Sequence, residues 1–359
     1  MPDLSRLSER LTALTRELVL IRSTDSRPDE RARCFEFIRH HLDTVPGTEI
    51  YTYEDGGYTS LVALPGGCAP PAILLCGHID VVDHPGLESY HSTIDGGHII
   101  GPGSGDMKGA VAIMLVLFRA LHRAQPGISV GIALTSDEER GGEHGLRFLV
   151  ESVGLRCGTA IVPDGGSQNE ITVEEKGILH LAVSAVGSAA HAARPWLGTN
   201  ALQHLVSRLA VLHGHFPHPS AGGDPWVPTC TLTALSSPNT AFNCVPDRAA
   251  AVLDVRFPPP HTAAGTRATI AELLGPGLAV ETIIAAEPTH LDSDPLFHEI
   301  TAEVTGLPAI PVKACGGSDA RFLRAHHIPV NLSRPTVGKL HAEDEWIDIA
   351  SMLTHYRIC

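Results

Sequence analysis

Ala72-Ile73-Leu74-Leu75-Cys76-Gly77-His78-Ile79-Asp80 is an unbroken apolar run that ends at once in a glycine, a histidine and a carboxylate. Two further stretches repeat the pattern. Ile128 to Leu134 leads into Ser136-Asp137-Glu138-Glu139, and Thr159 to Val162 leads into Pro163-Asp164-Gly165-Gly166. Strands that are apolar on both faces and alternate with helices indicate a parallel sheet covered on both sides. In such sheets ligands bind beyond the carboxyl ends of the strands, and all three runs deliver His or carboxylate side chains there. The fold class expected is α/β, with a mostly parallel sheet and helices on both faces.

Working outward, Leu4, Leu7, Leu11, Leu14 and Leu18 recur at helical spacing, so the chain opens with an amphipathic helix. A second helix is predicted from Pro28, suited to a first turn, to about Leu42. From Lys176 the pattern changes. Ile178 to Val186 reads as a strand, Asn200 to Leu212 as a helix, Thr229 to Leu235 and Arg248 to Phe257 as strands, Thr266 to Leu274 as a helix, and Leu278 to Ala285 as a strand. The order β-α-β-β-α-β is that of a ferredoxin-like α+β sandwich. It is expected as an insertion, 177–286, in a discontinuous domain formed by 1–176 and 287–359. Ile328 to Leu332 then looks like a further core strand, and Trp346 to Tyr356 like a closing helix. The histidines His213, His215 and His218 read as a solvated loop rather than a metal tract.

Between the first two apolar strands lies Gly101-Pro102-Gly103-Ser104-Gly105-Asp106-Met107-Lys108-Gly109, ahead of the apolar run Ala110 to Leu121. A glycine-rich loop turns sharply and brings a side chain close to a bound group. A dinucleotide-binding turn would need a third glycine where Asp106 stands, and a carboxylate there would repel the pyrophosphate. A cation is the simpler partner for a buried Asp in this place.

Composition narrows the function. The 359 residues suffice for two domains. With 26 Lys plus Arg against 40 Asp plus Glu, the net charge of −14 argues against a nucleic-acid partner. The eight cysteines contain no Cys-x-x-Cys pair, so neither a zinc ribbon nor a disulfide framework is expected, and a reducing, cytoplasmic setting is. Met1 to Arg10 shows no apolar leader core, and the longest apolar run is too short to span a bilayer. A soluble protein without membrane partners is expected.

Metal ligation needs N and O donors brought together from several segments and oriented by their neighbours. His78, Asp106, Glu139, Asp164 and His341 are the candidates, spaced by 28, 33, 25 and 177 residues. Two histidines and three carboxylates suit a pair of borderline cations such as Zn²⁺, with one carboxylate bridging. Asp80, two residues after His78 on an extended segment, is placed to accept the second ring N–H.

Gly77-His78-Ile79-Asp80, Gly105-Asp106-Met107-Lys108-Gly109, Ser136-Asp137-Glu138-Glu139 and His341-Ala342-Glu343-Asp344-Glu345 together resemble the zinc peptidase and deacylase family of aminoacylase, acetylornithine deacetylase, succinyl-diaminopimelate desuccinylase and glutamate carboxypeptidase. The resemblance covers nearly the whole chain. It implies that His78 and Asp164 hold one metal, Glu139 and His341 the other, and that Asp106 bridges them, with Zn²⁺ expected and Co²⁺ or Mn²⁺ as alternatives. Glu138 would be the general base and Asp80 would support His78. Ser188-Ala189-Ala190-His191-Ala192-Ala193-Arg194-Pro195-Trp196 resembles the family's lid segment, so that His191 would steady the tetrahedral oxyanion, often across a homodimer interface. Asn243, Arg256, Arg321 and Gly316 would contact the substrate, the arginines as a carboxylate clamp.

The implied activity is hydrolysis of the amide bond of a small N-acyl amino acid with a free carboxylate. A dipeptidase or carboxypeptidase is the alternative on the same centre, and a silent metal-binding homologue the alternative outside enzymes. One departure bears on substrate: Asp164 stands where the desuccinylases carry Glu, which points away from desuccinylation. Pro102 and Ser104 also depart from the family's loop, and nothing physical explains them.

Overall fold

The structure, a computed structural model, describes residues 4–67, 69–220 and 222–359; Met1–Asp3, the start of the stretch read for a leader, lie outside them. The chain forms two compact units. The first comprises Met1–Val173, His290–Val312 and Ser318–Cys359, and the second Glu174–Thr289 with Lys313–Gly317.

The first unit is built on a six-stranded sheet in the order Thr48–Asp55, Tyr58–Pro65, Val130–Thr135, Ile73–His78, Thr159–Val162 and Val330–Leu332. The last four are mutually parallel, and the Thr48–Pro65 hairpin adds two antiparallel strands at one edge. Alternate residues serve opposite layers. Leu75, Ile132, Leu134 and Ile161 face one core with Leu11, Leu18, Ile38 and Phe118 of the helices Leu4–Val19, Pro28–Leu42 and Gly109–Ala124. Leu74, Cys76, Ala133 and Val162 face the other with Leu146, Leu149 and Leu323. This two-sided burial is why the strands carry no polar alternation, and each Leu or Ile so buried contributes about 1.5–3 kcal/mol.

In the opening helix Leu7, Leu11, Leu14 and Leu18 are buried, whereas Leu4 is half exposed at its start. One expectation changes near the end of the chain. Trp346–Asp348 is a short strand paired with His98–Ile100, and the closing helix begins only at Ile349. Asp348 caps that helix, its Oδ1 accepting from Ser351 N at 2.6 Å, so the apolar Trp346 and Ile347 belong to the preceding strand.

The second unit is a four-stranded antiparallel sheet in the order Thr229–Ser236, Arg248–Phe257, Gly177–Val186 and Leu278–Ala286, with the helices Ala201–His215 and Ala263–Leu274. Leu179, Leu181, Val183, Leu205, Leu253 and Ile270 form its core. His213 and His215 fall in the last helical turn rather than in a loop, and both are exposed. Among the described residues no helix is long and apolar enough to cross a membrane, and the seven described cysteines are free.

Candidate metal centre

Register places the ligands. His78 ends its strand opposite Thr135, and Leu75 lies opposite Ile161. Continued three residues along both strands, that second pairing sets Asp164 level with His78. Ser136 to Glu139 follows directly from the strand between them and the hairpin. Asp106 arrives from the glycine loop, where Gly103 has a φ of 74° and Gly105 packs closely, a Cβ there lying a tight 3.1 Å from Trp346 O. His341 comes from the segment before the closing strand.

The result is two adjacent groups. Donor atoms of His78, Glu138 and Asp164 lie within 4.8 Å of one another, and so do those of Asp106, Glu139 and His341. Asp106 joins them: its Oδ1 is 3.2 Å from His78 Nε2 and its Oδ2 3.4 Å from His341 Nε2. Glu139 Oε1 is 3.4 Å from the same His341 nitrogen. Glu138, expected as a base rather than a ligand, has a carboxylate oxygen in the first group.

The donor set fits divalent cations. His78 Nδ1 contacts Asp80 O at 3.0 Å, which leaves Nε2 with its lone pair turned to Asp106 Oδ1. Two lone pairs at that distance repel, so a proton on Nε2 holds the pair together in the metal-free protein and a cation can take its place. His78 Nε2 and Glu139 Oε1 are both buried without a hydrogen-bond partner among the described residues. Protonation tells the same story. Asp106 and Glu139 push His341 up to about 11, and burial pushes Glu138 and Asp164 well above the usual carboxylate range. Burial opposes ionisation of Asp106 too, yet the two imidazoles hold it below that range. So many acids around two imidazoles suit positive charge, and N/O donors of this kind suit Zn²⁺, Co²⁺ or Mn²⁺.

The His78 ring meets the backbone carbonyl of Asp80 and not the carboxylate expected from the sequence, whose Oδ1 lies 3.5 Å away. The buried carboxylate's Oδ2 is turned to Glu139 N, from which it accepts at 2.9 Å, so Asp80 supports both metal groups. Sequence reasoning missed the companion on the other side. Glu345 Oε1 accepts from Gly105 N and Asp106 N, each at 2.7 Å, and Oε2 from His341 N at 3.2 Å. Lys108 is fully buried, with Nζ donating to Ile21 O. The turn after Glu139 is held by Asp137, which accepts from His144 N and Gly145 N at 2.7 and 3.0 Å. Arg321 holds the same turn, donating Nη2 to Gly141 O at 2.6 Å and Nη1 to Ser318 O at 2.8 Å. Asp319 lies in the recess behind the centre, lined also by His78, Glu138 and Asp164, and burial raises it to about 7.

The second unit holds the remaining candidates. The His191 segment pairs with Cys244, and Ala192 N donates to Asn243 O at 2.8 Å, so His191 and Asn243 share one surface of that unit. Both are exposed. Arg256 is bidentate on Asp254, at 2.7 and 3.0 Å, and His180 contacts the same carboxylate at 3.1 Å. Gly316 is exposed in the Lys313–Gly317 segment of this unit.

Comparison with known proteins gives consistent relatives. A family profile described as Peptidase family M20/M25/M40 matches residues 74–359. Succinyl-diaminopimelate desuccinylase of Parvibaculum lavamentivorans is 28% identical over 302 residues, 78% of this chain and 76% of the relative. The protein of that name from Acidiphilium cryptum is 28% identical over 356 residues, 93% and 92% of the two chains. Among solved structures, an M20 family metallo-carboxypeptidase from Sulfolobus solfataricus superposes with a TM-score of 0.78 at 14% identity, covering 100% of this chain and 98% of the other. Human carnosine dipeptidase 1 gives 0.77 at 14% identity over 99% and 96%, a likeness of fold.

Proposed function

The chain belongs to peptidase family M20/M25/M40 and is a metal-dependent amide hydrolase, and on that premise we propose that it removes the acyl group from a small N-acyl amino acid bearing a free carboxylate. The observation that carries this reading is the pair of His/carboxylate groups joined through Asp106, with Glu138 beside both Asp164 and His78.

His78 and Asp164 would hold one cation, Glu139 and His341 the other, and Asp106 both; Zn²⁺ is the choice the donors favour. When bound, the cations polarise the scissile carbonyl and acidify the attacking water. Glu138 takes a proton from that water and returns it to the departing amine, a role suited to a buried carboxyl with a raised affinity for protons. Asp80 fixes the His78 ring, and Glu345 holds Asp106 and His341 in register. His191 donates to the oxyanion, and Asn243 and Gly316 contact the substrate; Arg256 and Arg321, expected beside them, are instead held by Asp254 and by the carbonyls of Ser318 and Gly141.

A homodimer through the second unit completes the reading. The strand Thr229–Ser236 is a sheet edge with Leu232 and Leu235 exposed, and Val206 and Val211 are exposed on the neighbouring helix. A long apolar edge of this kind invites pairing with a second copy. Leu232→Lys should then shift the sedimentation coefficient to that of a monomer; an unshifted dimer would place the interface elsewhere.

The activity test is free-amine release from N-acetyl, N-succinyl and N-aroyl amino acids and simple dipeptides, after chelator treatment, with and without added Zn²⁺ or Co²⁺. Metal-dependent release from the acyl amino acids supports the deacylase. Release from dipeptides alone would favour the peptidase. No release with both metals bound would sink both.

A further inference from the structure

The strand-end rule that delivers His78, Glu139 and Asp164 has a fourth product. The strand Val330–Leu332 pairs in parallel with Thr159–Val162, Leu332 lying opposite Val162. Two residues on, Arg334 stands level with Asp164, and its Nη1 is 3.8 Å from Asp164 Oδ1. The side chain is 18% exposed, so it lines the centre while remaining open to a ligand.

Its Nε donor is unused among the described residues. At 3.8 Å the contact with Asp164 is an ion pair beyond hydrogen-bond reach, and Arg334 Nε is buried with no hydrogen-bond partner among the described residues. A guanidinium carries five N–H donors in a planar fork suited to a carboxylate. The other two arginines considered for that task are engaged: Arg256 with Asp254, and Arg321 with the carbonyls of Ser318 and Gly141. The surroundings add a reason. Arg334 sets a fixed positive charge beside Asp164, at the edge of a centre built from imidazoles and carboxyls, and a free guanidinium in that place can meet an anionic group of the substrate.

We propose that Arg334 binds the carboxylate of the substrate, reading it from the Asp164 side of the centre. The assignment rests on the proposed hydrolysis of a carboxylate-bearing amide and adds the residue that selects for the acid. Its side chain swings from the long contact with Asp164 to a two-point contact with the ligand, while Asp164 turns to the cation. Substrates whose carboxylate is replaced by a carboxamide lose that contact.

The experiment measures binding, so that it does not depend on turnover. Zn²⁺-loaded protein carrying Glu138→Gln is titrated with N-acetyl and N-succinyl L-amino acids and with their C-terminal carboxamides, and binding is read by calorimetry. Arg334→Gln and Arg334→Lys are compared in that background, and Zn²⁺ affinity is measured for each. The expected result is a preference for acid over carboxamide of roughly 10- to 100-fold, abolished in Arg334→Gln, partly kept in Arg334→Lys, with Zn²⁺ affinity unchanged. A preference that survives Arg334→Gln, or no preference in the background protein, overturns the proposal. A loss matched by weaker Zn²⁺ binding also overturns it and makes Arg334 a positioning residue for Asp164. If no acyl amino acid is hydrolysed by the wild type yet the preference exists and vanishes with Arg334, the deacylase reading fails and the Arg334 assignment stands.

Discussion

Glu345→Gln tests whether the centre is held by a carboxylate that touches no ligand side chain. Glu345 is 1% exposed and accepts three backbone N–H groups: two at Oε1 from Gly105 and Asp106, one at Oε2 from His341. The amide of Gln has the same shape but only one oxygen. Its best placement keeps the two contacts at the first position and sets an NH₂ group against His341 N–H, a donor facing a donor. One buried N–H then lacks an acceptor, and the carboxylate charge, which burial and Asp106 already make costly by raising Glu345 to about 7, no longer strengthens the three bonds. At about 1–3 kcal/mol for a buried donor left without a partner, the metal-free protein should lose about 2 kcal/mol. Asp106 and His341 are both freed from their fixed backbone positions, so Zn²⁺ affinity should fall by roughly 10- to 100-fold, the usual range for outer-sphere supports. Urea unfolding of chelator-stripped protein measures the first quantity, and competition with a chromogenic chelator the second. A Glu345→Gln protein with wild-type unfolding midpoint and wild-type affinity for both ions would refute the reasoning, because it would show that water or a loop shift satisfies those N–H groups at no cost.

Glu138→Gln should leave Zn²⁺ stoichiometry intact and lower turnover by roughly 10²- to 10⁴-fold, the range for loss of a general base; near-normal turnover in the metal-loaded variant would remove Glu138 from that role. A separate outcome concerns pH. His355 is fully buried with neither ring nitrogen hydrogen-bonded among the described residues, and burial lowers it to about 4. Its folded value lies below the unfolded value of about 6.5, so the unfolded chain takes the proton first. Its contribution is intact above pH ~6.5 and is lost progressively down to pH ~4, about 3 kcal/mol in all. His355→Met should flatten the urea midpoint between pH 6.5 and 5 relative to wild type, and an unchanged slope would show that His355 finds water on protonation.

Much of the fold is legible because its signals are local. An apolar run buried on both faces, as at Leu74-Leu75-Cys76, cannot be a surface strand, and Leu7, Leu11, Leu14 and Leu18 can share one face only in a helix. The strand Trp346–Asp348 is harder to see: three residues give no alternation to count, and its partner His98–Ile100 lies far back in the chain. The apolar Ile349, Met352 and Leu353 that follow extend the helical pattern backwards over it. Only the cap at Asp348 marks the boundary, and an Asp inside an apolar stretch is not a strong sign on its own.

The site divides along a similar line. His78, Asp106, Glu139 and Asp164 stand out because metal-ligating side chains at strand ends and glycine turns are chemically conspicuous. Glu345 does not, since its partners are backbone N–H groups up to 240 residues away and any residue type supplies those. Lys108 is hidden for the same reason, its ammonium meeting a carbonyl of Ile21. Arg334 is the instructive case, because the rule that located the ligands was sufficient to locate it. Ile328 to Leu332 reads as a core strand, and a core strand of a parallel sheet ends at the site whatever its terminal residues are. An arginine there goes unnoticed when the search is for ligands to a cation, which a cation cannot be. A centre that holds cations through carboxylates and also acts on an anion has a use for a free guanidinium beside its ligands, and the strand ends of one parallel sheet can supply both.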